Sequence, residues 1–300
     1  MSLVAQRHFG SAELHTKKHM EKLASGRRIN KAADDAAGLA ISEVVRSDLR
    51  SLKQAQRNTN DGISLIQVAE GSLGEIGSIV IRLKELAVQG ASDNISNRER
   101  QYLNLEFNQL KDEIDRISMS TQFNGTRLLA GKGEHIPESI LKKHQFPPFE
   151  IQIDKDYSPD TDSIDNPNPV NIIQLNFEKI NSSTEGEGSL NIGSARNAEG
   201  TRVDSKVAAQ ESIRSLDLAI EKISSYRAQL GSLQNRLEST DRNISIRVEN
   251  LAHARSRIYD ADFANETAQY TQWSILQQAG SSVLSQANQL PQIALQLLQT

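Results

Sequence analysis

Two histidines, His15 and His19, stand four residues apart and would share one face of a helix, the spacing of a metal-binding pair. The nearest third ligand is Glu21, and with no cysteine in the chain a cysteine-based zinc site, a thiol nucleophile and a disulfide framework are all excluded. The plain reading of the pair is a solvated helix face. Asp34-Asp35 is a second candidate, a carboxylate pair for acid–base work. Neighbouring residues on a helix point apart, so these aspartates read better as the cap and charge of a helix start. Glu185-Gly186-Glu187-Gly188 is glycine-rich, but no Lys-Ser or Lys-Thr follows it and no strand leads into a helix there, so it is not a phosphate loop. The residues therefore point to no catalytic site, no cofactor and no metal.

The elements that would carry such groups speak more clearly. The chain has 300 residues, with 34 Lys plus Arg against 38 Asp plus Glu, so there is no basic excess of the kind that nucleic acid requires. Aromatic residues make up only 4%. Burial therefore rests on Leu, Ile, Val and Ala, which suits narrow helical seams better than a broad core. No apolar run of signal-peptide type follows Arg7, Lys17 and Lys18. No stretch reads as a bilayer span, so no membrane insertion is expected.

Three textures divide the chain. Six of the seven prolines fall between Pro137 and Pro169, and residues 131–199 read as turns and short strands. Phe149, Ile151 and Ile153 alternate, as do Ile173, Leu175 and Phe177, each suggesting a strand with one buried face. The flanks read as helix. Leu216, Ile223, Leu230, Leu237, Ile244, Leu251 and Ile258 recur every seventh residue, and Val45, Leu52, Thr59, Ile66, Leu73, Val80 and Ala87 answer them. A sustained seven-residue repeat keeps one stripe against a partner helix, as in a left-handed supercoil. The N-terminal companion seam is Ala55, Gly62, Ala69, Ile76 and Leu83; the C-terminal one mixes Ile213, Ile220 and Val248 with Arg227, Gln234, Asp241 and Arg255. A bundle with one wet side follows. A first long helix is expected from about Asp34 to Gln89, ~80 Å long at 1.5 Å per residue.

Ser96-Asn97-Arg98-Glu99 has the form of a capping box opening a further helix, whose seam is Leu103, Phe107, Leu110, Ile114 and Ile117; Asn124-Gly125 marks the turn after it. After Glu266 no charged residue appears through Thr300. Uncharged amphipathic helix suits dense packing against identical copies, where like charges would repel, so this tail reads as an assembly surface.

Several of these runs resemble the bacterial flagellins. Leu23-Ala24-Ser25-Gly26-Arg27-Arg28-Ile29-Asn30-Lys31-Ala32-Ala33-Asp34-Asp35-Ala36-Ala37-Gly38-Leu39-Ala40-Ile41 is similar to the family's N-terminal signature. Gln56 to Ser64, Arg82 to Gln89 and Thr121-Gln122-Phe123-Asn124-Gly125 continue it, while Leu233 to Leu237 and Ser256 to Ala264 resemble the C-terminal one. The resemblance spans about 1–130 and 200–300; Ala5-Gln6-Arg7 resembles a point several residues into the family's N-terminus, so the N-terminal end is expected to be short.

The resemblance implies a mainly α fold: a long antiparallel coiled-coil rod formed by the N- and C-terminal halves, with a small β/loop excursion in the middle. It implies terminal helices of the filament core at 1–33 with 263–300, a helical rod at 34–130 with 200–262, and a short variable outer region at 131–199. Phe263, Trp273, Leu276, Val283, Leu284, Leu290 and Leu297 are the filament-core packing candidates. The implied function is a filament subunit for swimming motility, exported unfolded by the type III apparatus, with terminal segments that order on assembly. Implied partners are further copies of the chain, the export machinery and its chaperone, the cap and hook-junction proteins, and an animal innate immune receptor met through Arg82, Leu86 and Glu106. The implied location is a secreted one in the flagellum, extracellular, or periplasmic or sheathed. A hook–filament junction protein and an unrelated secreted coiled-coil adaptor are the competing readings.

Overall fold

The structure, a computed structural model, describes residues 2–129, 149–158, 170–177, 180, 182, 190–193 and 200–298. Five helices and four short strands are present among these residues, in the order α1 (Ser2–Ser25), α2 (Ala36–Gly90), α3 (Asn97–Ser120), β1 (Gln122–Phe123), β2 (Thr126–Arg127), β3 (Phe149–Gln152), β4 (Ile172–Leu175), α4 (Lys206–Tyr259) and α5 (Phe263–Leu298). The chain divides into two compact units, one of residues 1–51 with 246–300 and one of residues 52–245.

The unit of residues 52–245 rests on the seven-residue seams. Leu52, Thr59, Ile66, Leu73, Val80 and Ala87 of α2 are buried, and so is the companion seam of Ala55, Gly62, Ala69, Ile76 and Leu83. From α4, Leu216, Ile223, Leu230, Leu237 and Ile244 are buried. The two helices run antiparallel: Gly62 lies against Leu237, Gly77 against Ile223 and Gly90 against Ala209. Gln56 Nε2 donates to Ser245 Oγ at 2.9 Å, and Lys84 Nζ pairs with Asp217, further along the same register. Arg227, in the mixed companion seam, is exposed and reaches Glu70 at 3.6 Å, which makes this the wet side. By length and composition α2 alone could cross a membrane, contrary to the sequence reading. Its apolar stripe is instead covered by the rest of this unit.

Helix α3 begins with the capping box: Glu99 N–H donates to Ser96 Oγ at 3.3 Å, and Ser96 N–H donates to Glu99 Oε2 at 2.7 Å. Phe107 and Ile114 are buried in the common core, with Leu103, Leu110 and Ile117 packed beside them. Buried Arg100 stitches the α2–α3 connection, donating to the Gly90 and Ser92 carbonyls at 2.8 Å each. These are carbonyls at a helix end that no turn of helix can satisfy. After α3 the chain reverses through Asn124 (φ 49°) and Gly125 (φ 79°) between β1 and β2. That pair of left-handed conformations is the two-residue hairpin turn for which Asn-Gly is preferred.

The alternating runs form the hairpin of β3 and β4, in which Phe149 pairs with Leu175 and Ile151 with Ile173. Its Ile151 rests where a side chain at position 62 would be, which explains the glycine there. The expectation of one buried face is met by neither strand: in β3 Phe149 and Ile151 are only half-buried, as is Gln152, and in β4 Ile172 is buried as well as Ile173 and Leu175. The remainder of 131–199 lies largely outside the described residues.

Lys111, which no sequence pattern marks, is the most deeply buried cation among the described residues of this unit, at 1% exposure. Its ammonium donates to the Thr201 carbonyl at 3.0 Å and lies 5.6 Å from the Phe107 ring. Burial brings its pKa down to about 8, against an opposing pull from Asp115. The protonated form therefore destabilises the fold below about pH 8, and that cost is lost as pH rises toward 10.5, where the unfolded chain also gives up the proton. Urea unfolding of the protein is expected to show this contribution as a rise in stability between those two values, and Lys111→Met is expected to remove the rise.

Candidate assembly surfaces

The unit of residues 1–51 with 246–300 is built around a junction of two sequence signatures. Gly26 ends α1 in a left-handed conformation (φ 67°), as helix-terminating glycines do. The chain then pairs with the end of α4. Arg27 bridges Asp260, Arg28 N–H donates to the Tyr259 carbonyl at 2.8 Å, and Ala261 N–H donates to the Gly26 carbonyl at 3.0 Å. Arg28 adds two side-chain bonds to the Ile258 carbonyl, at 2.6 and 3.1 Å. Tyr259 lies between the guanidinium groups of Arg27 and Arg255, at 5.3 and 4.9 Å. Leu251 and Ile258, the last members of the C-terminal seam, are only half-buried, as is Val45 of the N-terminal one.

The aspartate pair serves structure. Asp35 caps α2, accepting from Gly38 N–H at 2.8 Å. Asp34 accepts from the Lys31 and Asn30 N–H groups and pairs with Lys18 at 3.2 Å. The Lys31 backbone bond and the Lys18 side-chain bond hold its carboxyl below the usual carboxylate range.

Helices α1 and α5 lie antiparallel. Phe9 packs on Gly280, His15 stacks on Trp273 with ring centroids 4.1 Å apart, and His19 meets Glu266. The two histidines thus do share a face, but it is the face turned to α5. Among the described residues no group of three His, Cys, Asp or Glu side chains is placed to hold a metal. Glu266 is 8% exposed; its Oε2 is 2.5 Å from His19 Nδ1 and its Oε1 accepts from Lys22 at 2.9 Å. Burial by itself would raise the carboxyl, but the bonds from His19 and Lys22 and their charge bring it below the ordinary value of 4.5. Sequence reasoning missed this triad, because Glu266 stands 247 and 244 residues from His19 and Lys22.

Beyond Glu266 α5 carries no charge, and the pair is incompletely covered. Only Ala12 of α1 is a fully buried apolar side chain, and a groove of about 540 Å³ opens between the helices, lined by Val4, Ala5, Ala12, Trp273, Leu276 and Val283. Phe263 (57%), Leu276 and Val283 are exposed, while Trp273 and Leu284 are half-buried. Leu290 and Leu297 fall on α5 outside the described side chains. Leu3, Leu14 and Ile275 of the same two helices are exposed as well. An exposed apolar groove of this kind marks a surface made to be covered.

In the other unit, Arg82 and Glu106 are exposed and joined, Arg82 Nη2 donating to Glu106 Oε1 at 3.0 Å. Leu86 is buried at 1% exposure, beneath the helix face that Arg82 decorates.

Residues 1–134 match the bacterial flagellin N-terminal helical region, and residues 213–298 the bacterial flagellin C-terminal helical region. The chain is 41% identical over 294 residues to a flagellin of Halalkalibacterium halodurans, covering 98% of this chain and 96% of that protein. It is 39% identical over 298 residues to the flagellar filament 33 kDa core protein of Treponema phagedenis, covering 99% and 97%. A flagellin of Bacillus subtilis is 38% identical over 296 residues, covering 94% and 92%. The fold is shared with a protein described as flagellar hook-associated from Vibrio parahaemolyticus, at a TM-score of 0.56 and 13% identity over 76% of this chain and all of that one.

Because the Glu266 carboxyl sits lower in the folded pair than in the free chain, its stabilisation is complete above about 4.5 and is lost as pH falls through the folded value. Trp273, the single tryptophan, reports the pairing. Its emission is expected to shift toward that of a solvated ring as acid is added below that point. In Glu266→Gln the pairing is expected to be weaker at neutral pH and insensitive to acid over the same window.

Proposed function

This chain belongs to the bacterial flagellin family and is a structural subunit of the flagellar filament, not an enzyme, and from the geometry of its terminal helices we propose how it assembles. The observation that carries the proposal is the α1–α5 pair, in which α5 carries no charge after Glu266 and an apolar groove stays open along one side. Exposed apolar area of this kind gains about 25 cal/mol for each Å² covered. Neighbouring copies supply that cover, so 1–33 with 263–300 form the inner core of the filament. Residues 34–130 with 200–262 form the surrounding helical layer, and 131–199 the outer one.

The pair alone buries little, which fits terminal segments that order only when neighbours arrive. On this reading the chain leaves the cell unfolded through the flagellar export apparatus, escorted by a chaperone. It then adds beneath a cap, on a base of hook-junction proteins. The filament lies outside the cell, or in the periplasm or a sheath where the cell has such flagella.

A hook–filament junction protein is the alternative, with which the fold is compatible. Seeding separates the two. Purified chain given short filament seeds is expected to grow long filaments by electron microscopy, and a chain lacking 267–300 is expected to stay monomeric while keeping the helical signal of its 52–245 unit. A full chain that never extends a seed would favour the junction role.

A second reading concerns an animal innate receptor. Arg82 and Glu106 present an exposed charged pair, with the exposed apolar side chains of Ile81 and Val88 on the same helix as Arg82. Buried Leu86 would act by supporting that surface from below. Arg82→Ala is expected to lower the signal from receptor-bearing reporter cells by about tenfold, on the scale of one lost charged contact, without changing the protein's helicity. An unchanged signal would remove Arg82 from the contact.

A further inference from the structure

We infer that Glu266 sets the register in which α5 lies on α1. The need for a register device follows from composition. No charged side chain occurs after Glu266, and the residues of α5 that meet α1 repeat with a seven-residue period. Trp273 and Gly280 both contact α1, and Ala287 continues their series; Leu276 and Val283 line the groove seven apart. A shift of α5 by seven residues would therefore set another uncharged surface against α1, with Gly280 and Ala287 where Trp273 and Gly280 now lie. Apolar packing discriminates poorly between such alternatives, and in helical pairs a single buried polar group commonly decides among them.

Glu266 is placed to be that group. Its two oxygens are taken by two different side chains of α1, His19 at Oε2 and Lys22 at Oε1. His19 and Lys22 are three residues apart, so they face the same side of α1. All three side chains are mostly buried. A seven-residue slip carries the carboxylate ~10 Å along the helix axis, out of reach of both partners. It then leaves His19 and Lys22 covered and unpaired, which disfavours the slipped state independently of how well its apolar contacts fit. The His15–Trp273 stack lies on the same side but offers no comparable penalty, since a ring meeting a small residue loses only contact area.

The absence of cysteine makes the register directly readable. A Cβ built at Gly280 stands 3.8 Å from Phe9 Cβ, the separation of a disulfide. Full-length chains carrying Phe9→Cys with Gly280→Cys report the observed register, and Phe9→Cys with Ala287→Cys the slipped one. Each is oxidised after seeding onto filaments, and also as free chain in a protecting osmolyte, and the intrachain disulfide is quantified by intact mass. The 9–280 bond is expected to form at least about tenfold faster than the 9–287 bond, the factor that separates a decided register from a degenerate one. With Glu266→Ala the ratio is expected to fall to within about threefold, and the exchange of Lys22→Glu with Glu266→Lys is expected to restore it. A ratio unmoved by Glu266→Ala overturns the inference and leaves the register to the Arg27–Asp260 bridge and the Trp273 stack. So does a ratio near one in the unaltered background. Failure to extend seeds would count against the polymerisation reading only, because the free-chain comparison still decides the register.

Discussion

The antiparallel match of two seven-residue seams is the constraint from which the unit of residues 52–245 follows. Once Leu52 to Ala87 of α2 face Leu216 to Ile244 of α4, the small residues between them acquire fixed duties. Gly77 and Gly90 admit Ile223 and Ala209 from α4, and Gly62 leaves room for Ile151 from the β3–β4 hairpin. Each glycine weakens the isolated helix by about 1 kcal/mol relative to alanine. The close approach it permits offsets that loss only when the partner is present. Among the described residues Gly71 and Gly74 have no neighbour within 4 Å of a built Cβ, and nothing there explains them.

The terminal unit works by a different balance. Its polar contacts are dense where α1 ends and α5 begins, and sparse beyond. Hydrogen bonds from Arg28, the Arg27–Asp260 bridge and the Glu266 triad fix one end of the pair. The rest offers apolar surface that the chain itself does not cover. Directional interactions thus specify which residues meet, and non-directional burial is left for other copies to complete.

Legibility from sequence divides along the range of the interaction. The seams, the Ser96 capping box and the Asn124-Gly125 turn were readable because each is encoded within a few residues. The aspartate pair was likewise readable as helix-start chemistry. The fading of the C-terminal seam at Leu251 and Ile258 was not, since periodicity reports a face and not what covers it. Nor were Lys111, Arg100 and the His19–Lys22–Glu266 triad, whose partners are carbonyls or side chains brought near only by the fold. Leu86 shows the reverse case. A motif brought it to notice beside Arg82, one turn away on the same side of the helix, yet the pair straddles the edge of the buried stripe, so that Arg82 is exposed and Leu86 lies in the core.

The bridge between Arg27 and Asp260 has a consequence for how the ends of the chain find one another. It holds the exit of α1 and the entry of α5 at a single point, with backbone bonds at 2.8 and 3.0 Å on either side. Two helices tethered at a common origin do not search a solution for each other. They experience an effective concentration on the order of millimolar or above, as short linkers give, and the entropy of bringing them together has already been lost when the bridge forms. Pairing of the termini is then a zipping reaction that starts from a closed base, so that neighbouring copies supply the cover and not the encounter.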